Sequence, residues 1–295
     1  MKPFVKWVGG KSQLLTTIQN TYPDGLGVTY KKYAEPFVGG GAVLFDILGK
    51  YDLDAVYISD TNRELISVYL ALRDSANELI TLLSSMQNEY TRLDTADRKA
   101  YYYTKRDRFN QLKIDGASTE CAATFVFLNK TCFNGLYRVN QKGLFNVPMG
   151  AYKNPTICDT ENLVEISKHL KNVTIVCDDY KASESFIDDT TFVYFDPPYR
   201  PITKTSNFTA YTESLFDDKA QMDLAKFVDT ISNKGAKVVA SNSDPKNIDA
   251  EDDFFDRLYI NHYINRVDAT RMINCKGEAR GKIKELLIRN FGSRL

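Results

Sequence analysis

Short apolar runs alternate with amphipathic helical patterns along most of this chain, and this alternation restricts the possible folds more than any other feature. Several runs are continuously apolar and end in a carboxylate or a small polar residue, which is typical of parallel strands covered on both faces. The alternation predicts an α/β fold with a doubly wound sheet, whose ligands bind at the carboxyl ends of the strands. The predicted strands are Tyr33–Val38, Ala55–Asp60, Val173–Asp178, Phe192–Asp196, Lys237–Asn242, Asp256–Arg266 and Lys284–Asn290.

The helical patterns carry apolar residues three and four positions apart, as expected when one face of a helix packs against a sheet. The last two strand candidates follow each other without a long helix between them. A short connection predicts an antiparallel pair, here at one edge of the sheet. The predicted helices are Ala42–Leu48, Asn62–Arg73, Asn77–Tyr90, Glu161–Leu170 and Asp217–Asn233.

The interval 68–155 breaks this rhythm, because it begins helical and then becomes a basic segment rich in loops, with Gly, Asn and Pro punctuation. A chain of 295 residues is long enough for one large α/β domain that carries an inserted subdomain. We therefore predict a discontinuous α/β domain over residues 1–67 and 156–295, with residues 68–155 as the insertion.

Composition excludes several classes of protein. No apolar run approaches the roughly 18 residues that a membrane helix needs, and the first residues lack the apolar region of a secretory signal. The five cysteines contain no Cys-x-x-Cys pair, which favours reduced cytosolic thiols over disulfides or a zinc site. With only two histidines, we expect no metal site. The missing secretory and membrane signals and the reduced thiols predict a cytoplasmic location.

The net charge of zero hides an uneven distribution along the chain. Residues 98–153 hold ten Lys or Arg against three Asp or Glu, which gives +7. Residues 1–33 hold five against one (+4), and residues 266–295 hold eight against three (+5). Residues 178–256 hold eight bases against seventeen acids, which gives −9. Segregated charge allows a basic face to bind a polyanion, although charge also segregates by chance.

The sequence Gly9-Gly10-Lys11-Ser12 is not a phosphate-binding P-loop. That motif requires a glycine separated by four residues from its Gly-Lys-Ser, where this chain has Val5, and a preceding strand for which there is little room. What remains is a glycine turn that presents Lys11 beside Lys6 and Trp7, the only tryptophan.

A second glycine turn, Gly39-Gly40-Gly41, connects the first predicted strand to a helix. Glycines there let the backbone approach a ligand closely, and the helix N-terminus adds hydrogen-bond donors. About twenty residues further on, the next strand ends at Asp60, where a carboxylate can accept hydrogen bonds from both ribose hydroxyls of an adenosine ligand. Together they predict a nucleoside-binding half-site; alternatively, Asp60 only caps the helix that begins near Asn62.

The most specific motif is Asp196-Pro197-Pro198-Tyr199, which follows a strand directly. The two prolines fix an extended backbone. Because proline has no N–H, the first carbonyl accepts no hydrogen bond from the proline that follows it. The motif offers a carboxylate, a carbonyl and an aromatic face, the groups that an exocyclic amino group of a nucleobase needs. An ordinary strand followed by a proline-rich turn is the alternative, but it does not explain the acid and the tyrosine at these positions.

Four ordered motifs, FVKWVGGK, AEPFVGGG, YISD and FVYFDPPY, resemble those of the Dam-type DNA N6-adenine methyltransferases of class alpha. The resemblance extends over residues 2–292 and includes Phe133–Asn140, Phe145–Gly150 and Ser241–Ser243. It implies a Rossmann-like methyltransferase fold in which residues 68–155 form the DNA target-recognition insertion. It also implies S-adenosyl-L-methionine as cofactor, double-stranded DNA as substrate, and methylation of a flipped adenine, in GATC for the members whose recognition loop it shares.

The resemblance also implies roles for individual residues. The catalytic residues are Asp196, Pro197 and Tyr199. The cofactor-binding residues are Trp7, Lys11, Glu35, Phe37, Gly39, Asp60, Asp179 and Asp196, with Asp178 as an alternative to Asp179. The DNA-binding residues are Lys6, Phe133, Asn134, Leu136, Arg138, Asn140 and Pro148. No metal, ATP, membrane or obligatory protein partner is implied, and DNA binding predicts association with the nucleoid.

Several residues and the whole function have alternative interpretations. Phe133 is a core aromatic in the alternative reading, and Arg138 a phosphate contact or a solvated charge. Tyr101–Tyr103 has the spacing of a core stripe more than of a stacking surface, and Ala151 replaces the basic residue common in the family. An N4-cytosine methyltransferase uses the same amino-group chemistry, more often with Ser in place of Asp196, and a catalytically silent DNA-binding regulator needs none of it.

Overall fold

A seven-stranded sheet is the main feature of the computed structural model, which describes residues 1–116, 118–200, 216–270 and 282–292. The strand order is β3-β2-β1-β4-β5-β7-β6. The strands are β1 (Lys32–Glu35), β2 (Ala55–Ser59), β3 (Val173–Val176), β4 (Thr191–Phe195), β5 (Lys237–Ser243), β6 (Tyr263–Thr270) and β7 (Lys282–Arg289).

Strand directions follow the sequence pattern. β1 pairs in parallel with β2 and β4, and β4 pairs in parallel with β5. All residues of β4 are buried, as expected of a central parallel strand with a continuous apolar sequence. β7 is antiparallel to both β5 and β6, which confirms the predicted antiparallel edge pair. The predicted mixed α/β fold is therefore confirmed.

Side-chain caps explain where several helices begin. Asn62 accepts a hydrogen bond from the backbone N–H of Leu65, and Asp217 accepts one from Ala220, at the starts of two predicted helices. The helices are α1 (Leu15–Gln19), α2 (Ala42–Leu48), α3 (Arg63–Asp74), α4 (Ala76–Arg92), α5 (Thr95–Asp115), α6 (Thr119–Thr131), α7 (Thr160–Leu170), α8 (Asp218–Asn233) and α9 (Phe254–Leu258).

The prediction of a strand over Asp256–Arg266 was wrong in its first half, because α9 covers Phe254–Leu258 and β6 begins only at Tyr263. The apolar residues Phe254, Phe255, Leu258 and Tyr259 recur with helical spacing, and Phe255 and Tyr259 are buried. The first strand is also shorter than predicted, since β1 ends at Glu35, directly before a proline that cannot donate to a strand ladder.

The chain divides into two compact units. The first comprises Met1–Gly10, Gly39–Lys50 and Ser59–Asp178, and the second comprises the remainder. In the first unit, α6 is buried over most of its length and packs against α3, α4 and α5. The predicted insertion 68–155 lies wholly within this unit, and its status as a separate domain stays a prediction.

Three further observations concern the described residues only. None of their helices is both long enough and apolar enough to cross a bilayer. They contain no cluster of His, Cys, Asp and Glu that could hold a metal ion. The four cysteines among them are free thiols, of which Cys177 is exposed, whereas Cys275 lies outside the described residues.

Candidate active site and DNA-recognition surface

Asp196 follows the last residue of β4 in the second unit, and two donors hold one of its carboxylate oxygens. Lys11 Nζ lies 2.8 Å from Asp196 Oδ1, and the lysine side chain is only 5% exposed. Ser241 Oγ on β5 donates to the same oxygen at 2.9 Å, and Tyr194 OH donates to that serine at 3.2 Å. A cation and a hydroxyl therefore fix the orientation of the carboxylate.

The second oxygen of Asp196 and the next carbonyl are left for a ligand. Within the described part of the chain, neither Asp196 Oδ2 nor the Pro197 carbonyl oxygen accepts a hydrogen bond. The two consecutive prolines keep this stretch extended, so the backbone does not turn back to place an N–H on this carbonyl. Two acceptors at adjacent residues suit a group with two N–H bonds, which is what an exocyclic amine presents.

Tyr199 is fixed at both its hydroxyl and its ring. Its OH donates to Glu285 Oε2 on β7 at 2.6 Å, and Lys11 Nζ lies 4.5 Å from the ring centroid. Burial and the nearby charges of Asp196 and Glu285 raise the pKa of Tyr199 well above its usual value, so the phenol stays protonated and continues to donate. The aromatic face is thus held in one place beside the carboxylate.

A polar network fastens Pro198 and Arg200, on either side of Tyr199. Gln221 Nε2 on α8 donates to the Pro198 carbonyl at 3.1 Å, and Asn242 Nδ2 donates to Gln221 Oε1 at 3.1 Å. Arg200 ion-pairs with Asp218 at 2.6 Å and with Asp252 at 2.7 Å. The backbone of the motif therefore rests on β5 and α8 as well as on its own prolines.

The other predicted cofactor residues of the second unit are Glu35, Phe37 and Asp179, and each contacts different groups. Glu35 is 2% exposed, and its Oε2 accepts from Tyr33 OH at 2.6 Å. Phe37 stacks on Tyr180, with ring centroids 5.6 Å apart, and keeps part of its surface exposed. Asp179 Oδ1 accepts from the backbone N–H of Lys181 at 2.8 Å.

In the first unit, Trp7 packs against the glycine turn. Gly39 has φ +47°, and a Cβ on it would lie 2.8 Å from Trp7 Cδ1. The Gly39 N–H donates to Asp60 Oδ2 at 3.1 Å, and the Asn62 N–H donates to Asp60 Oδ1 at 2.8 Å. Asn62 itself caps α3, so the alternative in which Asp60 is the cap does not apply.

Asp60 fits the ribose of an adenosine ligand. Each of its oxygens carries one backbone N–H bond and keeps a second acceptor position, so two hydroxyls can still be bound. Burial raises the pKa of Asp60, and the N–H bonds from Asn62 and Gly39 oppose that shift. A carboxylate that has already lost much of its water binds neutral donors at a smaller further cost of desolvation.

The predicted DNA-binding residues begin with an exposed turn after α6. Phe133 is 52% exposed, which removes its alternative as a core aromatic, and Asn134 has the positive φ of +54°. Asn129 holds Lys6 from both sides, since its Oδ1 accepts from Lys6 N at 2.8 Å and its Nδ2 donates to Lys6 O at 2.8 Å. Asn129 Nδ2 also donates to the Gly135 carbonyl at 2.9 Å, so one buried amide joins Lys6 to the turn.

Residues 138–146 form a hairpin that carries Arg138. The Asn146 N–H donates to the Arg138 carbonyl at 3.1 Å, and the Asn140 N–H donates to the Leu144 carbonyl at 2.9 Å. Asn140 Oδ1 accepts from the backbone N–H groups of Lys142 and Leu144 and so shapes the tip. The guanidinium of Arg138 is exposed, with Nε donating to Asn146 Oδ1 at 2.8 Å.

The remaining predicted DNA-binding residues border this hairpin. Leu136 is partly exposed, and its N–H donates to the Phe133 carbonyl at 3.2 Å. Pro148 is exposed, and its carbonyl accepts from the Phe133 N–H at 2.9 Å. In the nearby tyrosine run, Tyr102 is fully buried and donates to the Val147 carbonyl, which agrees with a core stripe.

Sequence reasoning missed the residues that hold the motifs in place. Ser241 and Glu285 contact the Asp196–Tyr199 motif from β5 and β7, far along the chain. Ser241 belongs to a sequence that the family resemblance includes, which was a usable signal, but a lone glutamate in a strand gives none.

Comparison with known proteins agrees with the motifs. Residues 7–273 match the family model of the D12 class N6 adenine-specific DNA methyltransferases. The chain is 50% identical to the type II methyltransferase M.MjaIII of Methanocaldococcus jannaschii, over 99% of each protein. It is 38% identical to the type II methyltransferase M1.LlaDCHI of Lactococcus lactis, over 99% of this chain and 96% of that protein. It is 33% identical to the DNA adenine methylase of Vibrio cholerae, over 97% and 95%.

These matches confirm the family that the four motifs predicted, and they favour adenine over the alternative of cytosine N4. The intact Asp196-Pro197-Pro198-Tyr199 site and the whole-length matches also favour an enzyme over a silent regulator. The chain belongs to the D12 class of N6 adenine-specific DNA methyltransferases.

Proposed function

We propose that this enzyme transfers a methyl group from S-adenosyl-L-methionine to N6 of an adenine that is flipped out of duplex DNA, in the sequence GATC. The observation that supports this chemistry is that the protein uses only one of the two carboxylate oxygens of Asp196. Lys11 and Ser241 hold Oδ1, while Oδ2 and the Pro197 carbonyl accept no hydrogen bond from any described residue.

The two acceptors bind the two N–H bonds of the adenine amino group. When both hydrogens are bound in this way, the nitrogen becomes more tetrahedral and its lone pair points away from the ring. The adenine stacks on Tyr199, whose position Glu285 fixes at 2.6 Å. A base inside a duplex cannot reach these groups, so it must leave the stack at a cost of a few kcal/mol.

The cofactor residues that we propose are those of the sequence prediction: Trp7, Lys11, Glu35, Phe37, Gly39, Asp60, Asp179 and Asp196. Asp60 is the strongest of them, because each of its oxygens keeps an acceptor position for a ribose hydroxyl. When bound, the cofactor supplies an electrophilic methyl group on a sulfonium. The protein contributes orientation and the polarised amine, and no covalent enzyme intermediate is required.

The DNA-binding residues that we propose are Lys6, Phe133, Asn134, Leu136, Arg138, Asn140 and Pro148. Arg138 is the residue proposed to read a base. Its Nε donates to Asn146 Oδ1, whereas the edge formed by Nη1 and Nη2 makes only a 3.5 Å contact with the Asn146 carbonyl and no ion pair with another described residue. That edge can make paired bonds to guanine O6 and N7. GATC is self-complementary, so a single chain can modify each strand in a separate visit, without an obligatory protein partner.

Plasmid DNA from a methylation-deficient host that expresses this chain tests the proposal. Nucleases that require methylated GATC should cut this DNA, and nucleases that methylated GATC blocks should fail to cut it. Plasmid from a host expressing Asp196→Asn is the matched control and should behave as unmethylated DNA. If methyl groups appear on adenine in another sequence, the GATC assignment is wrong and the chemistry stands; if they appear on no base, the proposed reaction is wrong.

A further inference from the structure

A closed triangle of polar side chains lies beneath the hairpin 138–146 in the first unit, and none of its members belongs to the sites described above. Lys113 on α5, Glu64 on α3 and Tyr137 each contact the other two. The side chains of Lys113 and Glu64 are 13% and 18% exposed, so this pair is largely removed from water.

Every hydrogen of the Lys113 ammonium has an acceptor. Nζ lies 2.9 Å from Glu64 Oε1, 2.9 Å from Tyr137 OH and 2.9 Å from the Gly143 carbonyl oxygen. Tyr137 OH in turn donates to Glu64 Oε2 at 3.0 Å. An ammonium has three donors, so its orientation is fully determined by these three partners.

Two of the three partners of Lys113, Tyr137 and Gly143, lie at different places along the hairpin. Tyr137 directly precedes Arg138 at the start of the first arm, and Gly143 is at the tip, with φ +71°. On the same helix, Asn110 accepts from Phe145 N at 2.7 Å and donates to Phe145 O at 3.1 Å. Helix α5 therefore holds the first arm, the tip and the second arm.

The Tyr137 ring adds apolar contacts to the same support. Its centroid lies 6.2 Å from that of Trp7 in a stacked arrangement and 5.5 Å from that of Phe125. The hairpin thus rests on packed side chains and on a saturated buried cation, while Arg138 at its surface is held by Asn146 alone among the described residues.

We infer that Lys113, Glu64 and Tyr137 are positioning residues that set the sequence selectivity of the enzyme, by fixing the hairpin from which Arg138 reads its base. This inference rests on the proposed reading role of Arg138. Paired bonds between a guanidinium and a guanine edge tolerate little displacement, so selectivity depends on how firmly the backbone of Arg138 is held. A buried ion pair is a poor source of stability, which favours a role in specifying one arrangement.

Two variants separate this role from simple stability. Glu64→Gln/Lys113→Met removes both charges together, so no unpaired buried charge is left, and the glutamine can still accept from Tyr137. Tyr137→Phe removes one hydroxyl and keeps the ring contacts. Lys99→Met, an exposed lysine on the same helix, is the matched control for loss of charge, and Arg138→Ala is the positive control.

The measurement is the ratio of kcat/KM on the site that wild-type enzyme methylates to kcat/KM on duplexes with one guanine replaced. Both positioning variants should lower this ratio by roughly fivefold to 100-fold, the range of one paired guanine contact, while Lys99→Met leaves it unchanged. Partial unfolding lowers both rates equally and cannot change the ratio. Hydrogen exchange at the Asn140 and Asn146 amides should become faster in the same two variants.

Support requires both results. An unchanged ratio with faster exchange would show that the triangle is structural only, and a lower ratio with unchanged exchange would show that it acts by another route; either outcome overturns the inference. A failure of the proposed function looks different, because wild-type enzyme would then leave DNA unmethylated or ignore these guanines, and Arg138→Ala would not change the ratio.

Discussion

The carboxylate of Asp196 shares its two oxygens between the protein and the proposed substrate, and a single substitution separates the two functions. Asp196→Asn keeps an oxygen for Lys11 and Ser241 but removes the negative charge that the amino group needs. We expect methyl transfer to fall by roughly 10²-fold or more, as when one transition-state hydrogen-bond partner is removed. Tritium transfer to duplex DNA measures the loss, and the melting temperature checks the fold.

Asp196→Ala provides the contrast, because it also removes the partner that holds the buried Lys11 ammonium at 2.8 Å. We expect the same loss of activity together with destabilisation of about 2 kcal/mol, the size of a hydrogen bond to a charged group. Near-wild-type turnover in either variant would contradict the proposed role of the carboxylate.

The raised pKa of Asp60 predicts that stability and cofactor binding depend on pH in opposite directions. Its pKa is raised in the folded protein, so the folded state keeps this proton to a higher pH than the unfolded chain does. Lowering the pH through this window therefore stabilises the fold through Asp60. Ribose hydroxyls donate to the ionised carboxylate, so the same change in pH should weaken binding of the cofactor.

Calorimetric titration with S-adenosyl-L-methionine and urea unfolding, both repeated from neutral pH downward, measure the two effects. Asp60→Asn is the matched variant, since it cannot titrate and keeps a similar shape. The difference between wild type and Asp60→Asn should have opposite signs in the two experiments. If wild type and Asp60→Asn showed the same pH profile in both experiments, protonation of Asp60 would affect neither stability nor cofactor binding, and the prediction would be wrong.

Local sequence predicted the residues that carry the chemistry but not those that hold them. Asp196, Pro197 and Tyr199 are adjacent in the chain, and two prolines and a strand end constrain what they can do. Ser241 reaches this site because β5 lies beside β4, and Glu285 reaches it because β7 lies beside β5. No spacing in the sequence gives that neighbourhood, since it depends on the strand order.

In the turn between β1 and α2, Trp7 packs so closely on Gly39 that no larger residue fits there without a shift. Gly39→Ala would place a Cβ 2.8 Å from Trp7 at φ +47°, where other residues are strained. We expect the free energy of unfolding to fall by about 1–2 kcal/mol because of the backbone conformation alone. The close contact with Trp7 should lower it further, and cofactor binding should become weaker. Gly143→Ala has a similar φ of +71° but open space around the Cβ, so it should be destabilised less. Equal unfolding midpoints would contradict the packing argument.

Arg200 joins the end of the Asp196–Tyr199 motif to α8. Its guanidinium pairs with both oxygens of Asp218 and with Asp252, and it stacks on Phe254 with 4.3 Å to the ring centroid. Arg200→Lys cannot reproduce this planar arrangement, so we expect a loss of about 1 kcal/mol in urea unfolding. Lys219→Met removes an exposed pair on the same helix and should leave the urea unfolding midpoint nearly unchanged.

Elements were predictable where the chain is periodic and capped. Asn62 and Asp217 cap the predicted helices, and the buried β4 reads as a continuous apolar run. The strand predicted over Asp256–Arg266 is wrong in its first half, because the aromatic-rich segment there has helical spacing and forms α9, and the strand begins only after it. The hairpin that carries Arg138 depends on contacts from α5, which no local pattern contains.

Charge is the property of the whole molecule that bears most directly on DNA. The net charge is zero, yet residues 98–153 carry +7, and this segment belongs to the first unit together with the hairpin. Residues 178–256 carry −9. A neutral protein can bind a polyanion when its charges are separated in this way, because the local field and not the total charge determines binding.

Binding of duplex DNA should therefore weaken steeply as salt increases, with a slope that counts phosphate contacts. Each contact contributes about 0.9 to the slope of log affinity against log salt. Lys142→Gln and Lys153→Gln change exposed residues of the +7 segment, so each should reduce the slope by about one and weaken all DNA sequences alike. Lys226→Gln, 79% exposed within the −9 segment, is the control and should leave the slope unchanged. Fluorescence anisotropy over a salt series measures all three, and a flat response, or an equal effect of Lys226→Gln, would rule out the +7 segment as the surface that faces DNA.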